Sequence, residues 1–447
     1  MLHTTRCGQH NIRHQEIQTS TKGKSAFTQN TKNLRVHPVF AYNATMQKLK
    51  PTPHNQLQLP APSDAALASS QHLQNLIREE INAAGGIISF SRYMEMALYT
   101  PGCSYYSGGA TKLGADGDFT TAPELSALFG STLAQVAQSL FQQSEPDIIE
   151  FGAGTGKLAF DILSECQNAH IPIRRYFIVE LSGELRARQE LCLKNFPQVV
   201  WLDHMPEAFS GVVIGNEVLD AMPVELVMKT EQGWSRLGVR NSTELDQVFS
   251  LASMQDAANV IAELIAQIPD ADHFPTGYIT EVHPVASGFM RSIAGMLLAG
   301  KQNSGKGSAC LWLDYGFPAH EYYLAQRDKG TLMCHYRHHA HPDPFYLPGL
   351  QDITAHVDFT AMALAGVQAG LELLLYTSQA GFLLPAGITT QLQRIPVEDT
   401  QAYLPASNAL QKLISPAEMG ELFKVLALGV DIDFPDHLLV QDRSHRL

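Results

Sequence analysis

A mainly parallel α/β sheet with helices on both faces is the fold class that this 447-residue sequence predicts. Three observations carry it. From residue 147 onward, short apolar runs alternate with helix-like spacings, the pattern of strands joined by crossover helices. Several of those runs end in an acidic residue or glycine, where such sheets place their ligands. The first run passes directly into a tight glycine loop, Gly152-Ala153-Gly154-Thr155-Gly156.

Taken in order, residues 1–68 carry Thr, Asn, Gln, His and Lys without a sustained apolar period and read as a disordered tail. Arg6, Arg13, Lys22, Lys24, Lys32 and Arg35 stand there against the single acid Glu16 among residues 1–45. An organellar presequence is one reading. A dispensable tail, with Met46 as the true start, is the preferred one, because no Arg-rich amphipathic face develops. Residues 69–146 read as a helical lobe. Leu73, Ile77 and Ile81 recur at helical intervals until Gly85-Gly86, and residues 91–99 form a second helix stopped by Pro101-Gly102. A glycine-rich loop spans 108–117, and helical spacing resumes over 123–141.

The sheet domain is expected over 147–430, with seven strands at 148–151, 176–181, 199–202, 211–215, 308–314, 371–377 and 423–428. Residues 230–300 interrupt the alternation and read as a mostly helical insertion, and 431–447 as a C-terminal tail.

Composition narrows the function classes. The net charge of −13 argues against a nucleic-acid binder, which needs clustered Lys and Arg. Cys7, Cys103, Cys166, Cys192, Cys310 and Cys334 form no Cys-x-x-Cys pair, so neither a disulfide framework nor a zinc site is expected. The cluster His335, His338, His339 and His341 lacks the acid or cysteine of a metal-site spacing, and Pro342 and Pro344 argue for a loop. The apolar stretch at 371–384 is broken by Glu372, Gln379 and Gly381 and falls short of the ~20 apolar residues that span a bilayer.

Three ligands compete for the glycine loop. A P-loop needs Gly-x-x-x-x-Gly-Lys-Ser/Thr, but here the spacing is one residue short and Leu158 replaces the hydroxyl. The dinucleotide fingerprint Gly-x-Gly-x-x-Gly is weakened, because Lys157 occupies the place of its third glycine. An acid followed by Gly-x-Gly-x-Gly fits S-adenosylmethionine, which has a ribose and an amino-acid end but no pyrophosphate. Glu180, ending the second strand, suits the ribose hydroxyls. Asp203, after the third, suits the adenine amino group, and Glu150 the ligand's amino end. Any one of these acids alone reads as a solvated strand end. Three on successive strands make Rossmann-like S-adenosylmethionine binding the leading reading, with a nicotinamide-dependent oxidoreductase as a lesser one.

The stretches SFSRYMEMALYTPG (89–102), GADGDFTTAPELSALFG (114–130), the glycine loop, YFIVELSGELRARQ (176–189), GNEVLDAMP (215–223), LWLDYG (311–316), PGLQDITAHVDF (348–359) and MGELFKVLALG (419–429) together resemble the MidA family of class I methyltransferases. That family includes a mitochondrial complex I assembly factor that methylates an arginine. The resemblance covers roughly residues 85–430 and is closest to bacterial members. It implies S-adenosyl-L-methionine as cofactor, and an arginine-bearing protein substrate of respiratory complex I type or its bacterial counterpart. It also implies a polar loop carrying Asp118 and Phe119 folded over the cofactor. A cytoplasmic bacterial setting is expected, with the mitochondrial matrix as the alternative. Two departures stand out: Ala153 occupies a position the family usually gives to proline, and residues 330–345 differ from the mitochondrial form.

Methyl transfer depends on positioning the acceptor in line with the sulfonium. For arginine, carboxylates must grip the guanidinium. Glu217, past the fourth strand, is the first candidate, with Asn216 and Asp220 shaping the pocket and Glu281 as a second clamp. The plainer readings are a helix cap for Asp220 and a surface charge for Glu281. Asp314 closes the fifth strand, and Asp352, His356 and Asp358 lie in a later loop, His356 being either a proton acceptor or a structural ring. A non-catalytic assembly factor that binds the cofactor and a folding partner is the alternative function. A homodimer is left open, and neither nucleic acid nor membrane insertion is expected.

Overall fold

The computed structural model describes residues 59–108, 121–244 and 247–447. Asp118, Phe119 and most of the expected N-terminal tail lie outside the described residues. In chain order the strands are β1 (Ile88–Ser89), β2 (Asp147–Phe151), β3 (Arg175–Val179), β4 (Val199–Leu202), β5 (Val212–Asn216), β6 (Glu225–Thr230), β7 (Gly233–Asn241), β8 (Phe249–Ser253), β9 (Ile279–Val282), β10 (Ser308–Phe317), β11 (Met333–Tyr336), β12 (His339–His341), β13 (Asp352–Thr354), β14 (Val357–Asp358), β15 (Glu372–Ser378) and β16 (Phe423–Val430).

The main sheet runs β15-β16-β10-β5-β2-β3-β4, with β14 beside the end of β10. All seven strands expected from the sequence are in it. From β10 to β4 neighbours are parallel, while β16 is antiparallel to both β10 and β15. Chain order reverses between β2 and β5, so their carboxyl ends open a crevice at the topological switch point. The glycine loop and the 216–220 turn lie at those two ends. β2 is buried along its whole length, as a strand covered on both faces must be. One face packs against helices Ala127–Leu140 and Lys157–Asn168, with Phe129, Leu133, Ile148, Ile162 and Leu163 in the core. The other packs against Pro284–Ser304 and Phe359–Gln368, through Ile149, Met290, Trp312 and Met362.

A second sheet departs from the expected organisation. Residues 225–253 and 279–282 form antiparallel strands in the order β1-β7-β6-β9, with β8 on β7, where a mostly helical insertion was expected. The cause is visible in β7. Gly233–Asn241 mixes Ser235, Arg236 and Gly238 with apolar residues, and only Leu237–Val239 is buried, so the sequence shows no clean alternation. The long helix of this region, Pro284–Ser304, belongs to the main sheet's flank.

The helical lobe divides. Helices Asp64–Ala83 and Phe90–Tyr99 share a separate core with the second sheet through Leu73, Ile77, Tyr93, Leu237 and Phe249. Helix Ala127–Leu140 is instead a layer of the main sheet. The first helix begins at Asp64, with Ser63 Oγ accepting from the Ala66 N–H, five residues before the expected onset. The C-terminal segment is packed rather than free. Ile432, Phe434 and Leu438 join the main core, and the Arg443 N–H donates to Tyr376 O at 2.6 Å.

Candidate active site

The glycine loop requires its glycines. Gly152, Gly154 and Gly156 have φ of 66°, 53° and 85°, where side-chain-bearing residues are strained. Gly156 caps helix Lys157–Asn168, and a Cβ on it would sit 3.3 Å from Gln189. The helix start behind the loop presents N–H groups that no turn of the helix satisfies. Thr155 donates its hydroxyl to Glu124 at 2.5 Å, tying the loop to helix Ala122–Leu125.

The expected cofactor acids fall into two groups. Glu150 and Glu180 lie together beside the loop. Glu150 is buried, accepts from the Tyr176 hydroxyl at 2.7 Å, and is pushed up to about 7 by burial and by the nearby charge of Glu180. Glu180 accepts from Ser182 N at 2.8 Å and Gln189 Nε2 at 2.9 Å, and burial raises its carboxyl too. Leu181, next to it, is 77% exposed, an apolar surface at a strand end. Asp203 is different: its side chain is 83% exposed and pairs with Arg186 at 2.7 Å on the neighbouring helix.

Gln189 is a residue that the sequence reading missed. Fully buried, its amide donates to both Gly154 O and Glu180 at 2.9 Å and accepts from Trp201 Nε1 at 3.1 Å. It therefore fixes the loop, Glu180 and β4 together. Its place in the 176–189 resemblance stretch was the available signal.

At the end of β5 the chain turns sharply. Glu217 has φ of 53°, its N–H donates to Leu313 O at 2.9 Å, and its carboxylate accepts from Asn216 Nδ2 at 3.2 Å. Burial and the nearby charge of Asp220 push Glu217 up to about 8, although the N–H of Ala122 pulls the other way. Asp220 is buried and pushed up to about 6, with the Tyr315 hydroxyl beside it. Asp314, 1% exposed, adds a third carboxyl that burial and the charges of Asp220 and Glu217 drive upward. Asn216 Oδ1 and Asp220 Oδ1 are buried without a hydrogen-bond partner. No lysine or arginine among the described residues pairs with Glu217, Asp220 or Asp314. The turn thus concentrates hydrogen-bond acceptors at the end of β5.

Glu281 is not brought to this turn. Fully buried on β9, it accepts from the N–H groups of Thr331 and Leu332 at 2.9 Å, from Thr331 Oγ1 at 3.2 Å and from the Tyr322 hydroxyl at 3.0 Å. Those bonds hold the 330–332 loop and leave its carboxylate engaged away from the 216–220 turn. His356 is stacked parallel on Phe317 at 5.3 Å and set edge-on to Tyr315 at 5.0 Å. Burial lowers it to about 3, which keeps the ring neutral.

The N-terminal lobe reaches the crevice through two tyrosines that the sequence did not single out. Tyr99 and Tyr106 stack at 5.5 Å. Tyr99 donates to Ala221 O at 2.8 Å, Tyr106 to Asp352 at 3.2 Å, and Tyr106 O accepts from Ser182 Oγ at 2.7 Å. Tyr99 feels the charges of Asp352, Asp220 and Glu180 at once, so it stands between the glycine-loop side and the acidic turn. Among the described residues no group of three His, Cys, Asp or Glu is disposed to hold a metal ion, and no helix is long and apolar enough to cross a membrane.

Comparison with known proteins agrees with this geometry. A family profile described as "Putative S-adenosyl-L-methionine-dependent methyltransferase" matches residues 128–377, more than half of the chain. A solved Burkholderia thailandensis protein, described as a "likely methyl transferase" bound to S-adenosyl-homocysteine, is 51% identical, with a TM-score of 0.80 over 87% of this chain and 100% of that one. "Protein arginine methyltransferase NDUFAF7, mitochondrial" of Danio rerio is 27% identical over 77% of this chain and 84% of its own length. Its Homo sapiens counterpart is 26% identical over 77% and 80%. The cofactor is S-adenosyl-L-methionine, and the chain belongs to the MidA family of S-adenosyl-L-methionine-dependent methyltransferases.

Proposed function

We propose that this chain is a protein arginine N-methyltransferase, acting on a subunit of respiratory complex I type or its bacterial counterpart. The observation that carries the reading is the acceptor set at 216–220: Glu217, Asp220 and Asn216 offer oxygens, two of them buried without a partner, and no side-chain cation among the described residues answers them. An arginine guanidinium carries five N–H donors in a plane and a permanent charge, the complement of that set. The naming of the mitochondrial relatives as arginine methyltransferases supports the same acceptor. The higher identity to the bacterial protein, 51% against 27%, supports a bacterial cytoplasmic setting.

In this reading Gly152, Gly154 and Gly156 allow backbone to approach the cofactor's amino-acid end, Glu180 holds the ribose hydroxyls, Leu181 covers the adenine and Glu150 orders the amino group. Asp203 would reach the adenine amino group by leaving Arg186. The cofactor, when bound, supplies an electrophilic methyl group on a sulfonium. Glu217 grips the guanidinium and turns one nitrogen toward the crevice, with Asn216 Oδ1 taking a further N–H. Tyr99 and Tyr106 provide aromatic walls that favour a cation and exclude water. Transfer leaves one proton surplus on the methylated guanidinium, and Asp220 Oδ1, free of other partners, accepts it.

The test is incubation of the protein with labelled cofactor and arginine-bearing complex I type subunits. Label on the subunit, absent with Glu217→Ala, supports the reading. Cofactor binding by both proteins with no label on any subunit rejects it.

A further inference from the structure

We propose that Asp314 is a positioning residue: by binding three successive backbone N–H groups, it holds the 216–220 turn in the conformation that presents Glu217 to the methyl acceptor. Asp314 Oδ2 accepts from Val218 N at 3.1 Å, Leu219 N at 2.9 Å and Asp220 N at 3.3 Å, while Oδ1 accepts from Tyr315 N at 2.9 Å. Both oxygens are thus consumed by backbone, and the group itself is 1% exposed. It does not face the acceptor and acts through Glu217.

The arrangement answers two local problems. Glu217 lies at φ of 53°, a region that a residue with a long side chain seldom occupies unless its surroundings impose it. The three N–H groups that follow point away from any strand or helix ladder and need an acceptor in a buried place. One carboxylate solves both. It is itself anchored, because β10 is bonded to β5 on one side and β16 on the other, with Asn216 in register with Leu313. An interior strand of the sheet therefore sets the acceptor turn's position. Val218 also packs against Gly152, so closely that a Cβ added there would lie 3.1 Å from Val218 Cγ2, which ties that turn to the glycine loop as well. The backbone donors oppose the rise that burial and the charges of Asp220 and Glu217 impose on the Asp314 carboxyl, and its oxygens accept from those N–H groups whether or not it is ionised.

This inference rests on the reading that Glu217 meets the acceptor, and the experiment separates the two. Asp314→Asn keeps the shape but sets an amide N–H₂ against backbone N–H groups. The amides of Val218, Leu219 and Asp220 should then exchange with solvent at least about tenfold faster, followed by NMR. S-adenosylhomocysteine affinity should stay within about threefold, because the glycine loop is untouched. With an arginine-bearing subunit, kcat should fall about 100-fold, as misplacement by about 1 Å does, with KM little changed. Retained amide protection, or kcat within about threefold of wild type once protection is lost, overturns the inference. Wild-type amides at 218–220 exchanging at unprotected rates would overturn it too, and that measurement needs no variant to fold. The exchange and binding results stand even if no arginine accepts a methyl group, an outcome that would reject the proposed function alone.

Discussion

Replacing Glu217 by Gln removes the charge at the centre of the proposed acceptor site while keeping the shape, and it should have opposite effects on stability and activity. The Glu217 carboxyl rises from 4.5 to about 8 because burial and Asp220 disfavour its charge. A carboxyl raised in the folded state stabilises the fold fully below its unfolded value and loses that contribution as pH rises through the folded one. Without substrate, the wild type should therefore lose stability between about pH 4.5 and about 8, and the Gln variant should not. At about 1.4 kcal/mol per tenfold change, the rise sets a ceiling near 5 kcal/mol. Solvent reaching the partly exposed side chain reduces it to about 1–3 kcal/mol. By thermal unfolding, Glu217→Gln should match wild type at pH 4 and melt about 1–3 °C higher at pH 9. Methyl transfer to arginine should fall about 100- to 1000-fold in kcat/KM, the cost of breaking one buried charge pair. S-adenosylhomocysteine affinity should not move. Parallel stability profiles for the two proteins from pH 4 to 9, or full activity in the variant, would refute the reasoning.

Other perturbations separate the parts of the site. Gly156→Val imposes a branched side chain at φ of 85° against Gln189, and should abolish the thermal shift given by S-adenosylhomocysteine; a normal shift would remove the loop from the cofactor site. Gln189→Ala should weaken the same ligand about tenfold, because loop and Glu180 lose their common donor; calorimetry would show it. Asp203→Ala should cost about fivefold in cofactor affinity if the carboxylate exchanges Arg186 for adenine, and an unchanged value would leave it a surface ion pair worth little. Tyr99→Phe removes the bond to Ala221 O and should raise KM for the protein substrate several-fold while sparing cofactor affinity, read from steady-state kinetics.

The main sheet was legible because its strands are short, buried and punctuated. Ile148-Ile149-Glu150-Phe151 and the run at 212–215 have no polar face to confuse, and each ends at glycine or an acid. The second sheet was not legible for the opposite reason: β7 and β8 have mixed faces, and β7 finds β1 at Ile88↔Val239, far along the chain. The packed C-terminal segment hid behind its aspartates, although Phe434 and Leu438 are core residues. Within the candidate site, Glu150, Glu180 and Glu217 could be marked from strand ends alone. Distinguishing Glu217 from Glu281 could not be done that way, since both sit in short acidic motifs. Only the fold shows that Glu281 is consumed by Thr331, Leu332 and Tyr322. Tyr106 and Asp352 meet across 246 residues, and Asp314 meets Val218 across 96, separations for which one sequence carries no local signal.

In the proposed reading these features make the active site a junction of three pieces. The switch point of the main sheet supplies the glycine loop and the acidic turn, β10 supplies the Asp314 carboxyl that accepts from the turn's N–H groups, and the N-terminal lobe supplies Tyr99 and Tyr106. In the proposed reading, the acid-rich turn, which no cation pairs with among the described residues, favours an arginine acceptor over a carboxylate or hydroxyl acceptor, which would need a base or donors instead.

The most direct measurement of that claim is amino-acid analysis of a protein substrate labelled from S-adenosyl-[methyl-¹⁴C]methionine. The label should elute entirely as methylated arginine and disappear with Glu217→Gln. Label recovered as methyl-lysine, as a base-labile methyl ester or in a small molecule would contradict it.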